Sequence, residues 1–69
     1  MATINLYFDE CEHQNDLDEY LDDIRKSGGN PVNWSINHNE ETANVTVEVT
    51  DRNKFFEEFR KTDAYDFCN

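Results

Sequence analysis

VNWSINHNEETANVTVEV, residues 32 to 49, decides the fold. Val32, Trp34 and Ile36, with His38 at the margin, alternate with Asn33, Ser35 and Asn37. After Asn39-Glu40-Glu41, a second run alternates Ala43, Val45, Val47 and Val49 with Thr42, Asn44, Thr46 and Glu48. Successive residues of a strand point to opposite faces, so two alternating runs around a short polar turn predict an antiparallel hairpin with one apolar face. That face needs a covering layer, while the amide and hydroxyl face can stay in water.

The flanking segments supply the cover. Upstream, Ala2, Ile4, Leu6 and Phe8 alternate with Thr3, Asn5, Tyr7 and Asp9, which predicts a third half-buried strand. Leu17, Tyr20, Leu21 and Ile24 follow at i, i+3, i+4 and i+7, one stripe of a helix that ends at Ser27-Gly28-Gly29-Asn30-Pro31. Downstream, Thr50 or Asp51 caps a second helix carrying Phe55, Phe56 and Phe59 on one arc. Residues 64 to 67 fit either a last strand or an extension of that helix. The order predicts an α+β two-layer sandwich, β-α-β-β-α(-β), with a ferredoxin-like antiparallel sheet and two helices on one face. Residues 1 to 69 make one domain, with Phe8, Leu21, Trp34, Phe55 and Phe59 in its core.

The charge is lopsided. Sixteen acids against six bases give a net charge of -10, and residues 9 to 23, DECEHQNDLDEYLDD, hold eight carboxylates and no Lys or Arg. Direct nucleic-acid binding needs cations for the phosphates, and an anionic membrane repels the same charge, so neither is expected. No apolar run could span a bilayer, and the opening MATINLYF lacks the profile of a signal peptide, which predicts a cytoplasmic protein, in the host cytoplasm if it is phage-encoded.

On a helical wheel Asp16, Asp18, Glu19, Asp22 and Asp23 lie opposite the apolar stripe, forming a solvent-facing ridge that Asp9, Glu10 and Glu12 extend. Asp16, Glu19 and Asp23 span roughly 10 Å at 1.5 Å per residue. Phosphates along one DNA strand advance about 3.4 Å each, a comparable charge density. An ordinary exposed helix pairs Glu with Lys four residues on, whereas the cations here, Arg25 and Lys26, stand only in the last turn. Acids in the middle of a helix gain nothing from its dipole. A solvated face or adaptation to high salt would also produce acidic excess.

Catalytic signals are lacking: there is no Gly-rich phosphate loop, no nucleophile with a supporting His and no hydrolase elbow, so no enzymatic activity and no cofactor are expected. Cys11, His13, His38 and Cys68 have the atoms for a zinc site but not the paired knuckle spacing, with Cys68 expected at the opposite end of the sheet from Cys11 and His38. The leading expectation is a small acidic inhibitor that occupies the basic nucleic-acid-binding surface of a nuclease or nucleoprotein complex by mimicry, as in phage counter-defence against CRISPR or restriction. The alternative is an antitoxin or immunity protein that binds a cognate toxin through the Asn-rich sheet or the Phe-rich helix. A third is an acidic accessory domain with no inhibitory role, for which an exposed strand edge offers a route to self-association.

Overall fold

The computed structural model describes residues 1 to 68. β1 (Ala2–Phe8), α1 (Gln14–Lys26), β2 (Asn30–Asn37), β3 (Thr42–Val49) and α2 (Arg52–Phe59) follow in that order, and a short 3-10 helix, Asp63–Phe67, closes the described chain. β3 lies between β1 and β2 and is antiparallel to both. β1 and β2 therefore run parallel, joined by α1 with β3 inserted between them, a split β-α-β unit.

The alternation read from the sequence sets the register. Ile4 opposes Val47 and Leu6 opposes Val45 on the covered face, while Asn5 opposes Thr46 and Tyr7 opposes Asn44 on the other. Leu17, Tyr20, Leu21 and Ile24 of α1 and Phe55 and Phe59 of α2 close over Ile4, Leu6, Phe8, Val45, Val47 and Val49. The aromatic rings form a chain through this core. Phe8 stacks on Tyr20 with centroids 4.5 Å apart, meets Phe59 edge-on at 6.4 Å, and Phe59 stacks on Phe55 at 5.2 Å.

The end of α1 is built by two glycines with different duties. Gly28 takes a φ of 93°, where a side chain is strained, and its N–H donates to the Arg25 carbonyl. Gly29 donates to Ile24, completing a Schellman turn. A Cβ on Gly29 would sit 2.6 Å from the Phe55 ring and 2.8 Å from Val47, so the residue must be small for the helix layer to meet the sheet.

Two expectations fail in β2. The register shifts between Pro31, opposite Val47, and Asn33, opposite Thr46, so Val32 is an extra residue in a bulge. Pro31 takes the inward position and is buried, while Val32 is 47% exposed. Trp34 opposes Val45 on the helix side but is 40% exposed and is not part of the core. The reason is position: β2 is an edge strand, and the helix layer does not close over this corner.

The tail is neither a strand nor more of α2. Asp63–Phe67 winds into the 3-10 helix with Ala64 buried, Phe67 against Tyr20 at 5.9 Å and Tyr65 edge-on to Phe59 at 6.0 Å. Strand pairing is limited to one bridge between Phe8 and Cys68, supported by the Asp9 N–H donating to the Phe67 carbonyl at 2.9 Å. Among the described residues the sheet therefore has three strands, and the four-stranded ferredoxin-like arrangement is not completed. The aromatic tail gains more by capping the core than by exposing alternate rings along a strand edge.

Candidate partner interface

The acids of α1 divide into those that hold the chain and those that face outward. Asp16 is half-buried at the helix start, where its Oδ2 accepts the N–H groups of Glu12 at 3.2 Å and His13 at 3.3 Å. These donors just precede the helix, so the carboxylate secures the entry of the chain, His13 standing at the N-cap. Asp23 is likewise half-buried. Its Oδ2 accepts the Ala64 N–H at 3.2 Å across 41 residues of sequence, tying α1 to the tail.

Asp18, Glu19 and Asp22 form the outward row, all exposed. Asp18 accepts from Gln14 Nε2 at 2.9 Å, and Asp22 lies 3.3 Å from Lys26 Nζ in an exposed pair of the kind worth well under about 1 kcal/mol. The Glu19 side chain makes no hydrogen bond or ion pair among the described residues. Glu10 and Glu12 are exposed at the helix entry, with the Glu10 carbonyl accepting the Tyr20 hydroxyl and Glu12 lying 3.9 Å from the His13 ring. Asp9 is exposed at the end of β1, where its backbone anchors Phe67. Of the three acids with phosphate-like spacing, Asp16 and Asp23 are half-buried and accept backbone N–H groups, and Glu19 is exposed.

The tail adds what local sequence could not show. A shallow cleft of about 290 Å³ opens between α1 and the 3-10 helix, lined by Glu19, Tyr20, Asp22, Asp23, Lys26, Asp63, Ala64 and Phe67. Four of these eight residues carry a carboxylate and two an aromatic ring. Asp63 enters it because the chain folds back after α2, and no periodicity around residue 63 signals that return. Burial first, then the charges of Cys11, Asp16, Glu10 and Glu19, pushes the Tyr20 phenol up to about 12.

The opposite face of the molecule is different in kind. Asn5 and Asn33 flank Thr46 in one row, and Tyr7 and Ser35 flank Asn44 in the next. The Thr46 hydroxyl donates to Asn5 Oδ1 at 3.0 Å. Glu48 is the one strand residue with a carboxylate, and no Lys or Arg stands in any strand.

Cys11, His38 and Cys68 gather at one end of the sheet, contrary to the expected placing of Cys68. The Phe8–Cys68 bridge sets Cys68 beside the end of β1 that leads to Cys11, and Cys11 donates its N–H to Glu41 in the hairpin turn that also holds His38. Among the described residues, no three His, Cys, Asp or Glu side chains are placed to share a metal ion, and the two cysteines are not in a disulfide. Burial, with Asp16 adding, raises the Cys11 thiol above its ordinary pKa; burial also raises Cys68. Both sulfurs therefore carry less thiolate than an exposed cysteine.

Compared with known proteins, the chain matches no family model, no curated protein sequence and no solved structure. No helix among the described residues is long and apolar enough to cross a membrane.

Proposed function

We propose that this chain is a small acidic inhibitor of the cytoplasm, without enzymatic activity, that occupies the basic nucleic-acid-binding surface of a nuclease or nucleoprotein complex. Nucleic-acid mimicry would make it suited to phage counter-defence, as an anti-CRISPR or anti-restriction protein. The observation that carries this reading is the outward row of Asp18, Glu19 and Asp22 beside the acid-lined cleft. Carboxylates that neither cap the helix nor anchor the tail are left as a concentrated field, and such a field speeds encounter with a basic surface. The effective footprint is Asp18, Glu19 and Asp22 with Glu10, Glu12 and Asp63, rather than the evenly spaced row containing Asp16 and Asp23. The same reading treats the architecture as ferredoxin-like, with its fourth strand reduced to the Phe8–Cys68 bridge.

The test is capture of purified CRISPR and restriction effectors by the tagged chain, with duplex DNA added as competitor. Capture of an effector that DNA displaces, together with loss of that effector's own DNA binding, supports the proposal. Absence of capture across such effectors counts against it.

A second reading rests on the amide- and hydroxyl-rich open sheet face, where Glu48 is the one charged strand residue. The rows centred on Thr46 and Asn44 have no covering layer among the described residues and offer amides, hydroxyls and the Tyr7 ring to a cognate toxin in an immunity-type contact. Capture that DNA does not displace would favour this reading.

A further inference from the structure

The edge of β2 carries an independent signal. In the order β1-β3-β2 no strand among the described residues flanks β2 on its outer side, whereas the tail begins to cover the outer side of β1. Natural edges are blocked by charge, proline, bulges or a covering segment. Pro31 and the bulge protect only the start of β2, and from Asn33 to Asn37 its pairing with β3 is regular. In a chain of net charge -10, residues 27 to 39 contain no Asp, Glu, Lys or Arg. Trp34, exposed and outside the core, stands in the middle of this edge.

Its side chains are self-complementary. Asn33-Trp34-Ser35-Ile36-Asn37 reads polar, apolar, polar, apolar, polar in both directions. An antiparallel copy with its two-fold axis at Ser35 would set Trp34 against Ile36 of the second copy on the helix side. Asn33 would face Asn37 of the second copy on the open side, and Ser35 would face itself. Apolar pairs and amide pairs are the favourable cross-strand combinations, and both occur twice by symmetry. Bulge and proline fall outside the paired segment. We propose that the Asn33–Asn37 edge is a homodimer contact that joins two copies into a continuous six-stranded sheet.

A second copy fits better than a charged partner because this edge has no charge to complement, and like-sign repulsion between two acidic chains is least where neither carries a charge. The contact should therefore strengthen as salt screens the remaining repulsion.

Sedimentation equilibrium of the full chain tests the state. The expected mass rises with concentration from 8.2 kDa to twice that value, and the rise begins at lower concentration in high salt. Trp34→Lys should hold the mass at the monomer with unchanged circular dichroism. Register is tested by oxidative cross-linking in a Cys68→Ser background, Cys11 being buried. Ser35→Cys places two sulfurs across the axis, where antiparallel neighbours stand about 4.5 to 5.5 Å apart at Cα, within disulfide reach. Asn33→Cys separates them by about 14 Å at 3.4 Å per residue. Cross-linking at residue 35 and not at 33 is expected. A constant monomer mass at all concentrations and salts overturns the proposal, as does a dimer that persists in Trp34→Lys or cross-links equally at both positions.

Discussion

The outward side of α1 and the open side of the sheet are both wetted, yet they are polar for different reasons. On the sheet the side chains are mostly neutral amides and hydroxyls, and the Thr46 hydroxyl donates to Asn5 on the neighbouring strand. On α1, carboxylates compete for a few local donors: Asp16 takes two N–H groups at the helix entry and Asp23 takes one from the tail, while Asp18, Glu19 and Asp22 remain outward. A count of acids therefore overstates the number of carboxylates free for direct contact with a partner. The fold uses the carboxylates it can reach from backbone donors and leaves the rest as candidates for recognition.

Lysine substitution on one face at a time separates the two surfaces most strongly. Asp18, Glu19 and Asp22 changed together to Lys should weaken capture of a basic effector on the order of a thousandfold, the upper range of electrostatic steering. Lysines at Asn33, Ser35 and Asn44 on the sheet should leave that capture nearly intact. Equal losses from the two triples would erase the distinction between the faces.

Next in size is an alkaline transition beneath the acidic side. The Tyr20 phenol is raised from its ordinary 10 to about 12, chiefly by burial and then by the surrounding acidic groups. The fold therefore favours the neutral phenol: the stabilisation is fully present below pH 10 and is lost as pH climbs through about 12. The phenol's share of the loss should be on the order of 2 to 3 kcal/mol, measured as urea midpoints across this range, and Tyr20→Phe should remove that share while leaving the part due to the two raised thiols. An unchanged alkaline slope in Tyr20→Phe would remove the phenol from this account.

Asp23→Ala and Asp22→Ala sharpen the division within the helix itself. Losing the tie to Ala64 should cost about 1 to 2 kcal/mol in chemical denaturation. Losing the exposed pair with Lys26 should change stability by less than about 0.5 kcal/mol. The smallest effect lies in the hairpin turn, where Glu41 holds a φ of 58°. Glu41→Gly should raise stability by about 0.5 kcal/mol, since relief of the left-handed strain outweighs the added freedom of the unfolded chain.

Periodicity made most of the fold legible. Alternation placed all three strands, the Leu17-Tyr20-Leu21-Ile24 stripe placed α1, and Asp51 does cap α2 by accepting the Lys54 N–H at 3.1 Å. What escaped was non-local. One extra residue at Val32 reverses which side chain of the Pro31-Val32 pair points inward, and nothing in an apolar alternation marks the slip. Alternation places Trp34 on the covered face, where a large apolar residue is usually enclosed, but enclosure depends on how far the helices reach over an edge strand. The tail could not be assigned because its aromatics fit either a strand or a cap until the Phe8, Tyr20 and Phe59 rings are in place. At the candidate interface the exposed side of α1 was readable from the helical wheel. The structural roles of Asp16 and Asp23 and the arrival of Asp63 were not, since they depend on the chain entering α1 and on its return after α2.

The proposed role rests on recognition of a basic nucleic-acid-binding surface by the outward carboxylates. The most direct measurement is the affinity of the native chain for a captured effector as salt is raised, with duplex DNA as competitor. Affinity should fall steeply with salt, and DNA should exclude the chain from the effector. Affinity indifferent to salt, with chain and DNA bound to the effector together, would contradict that role.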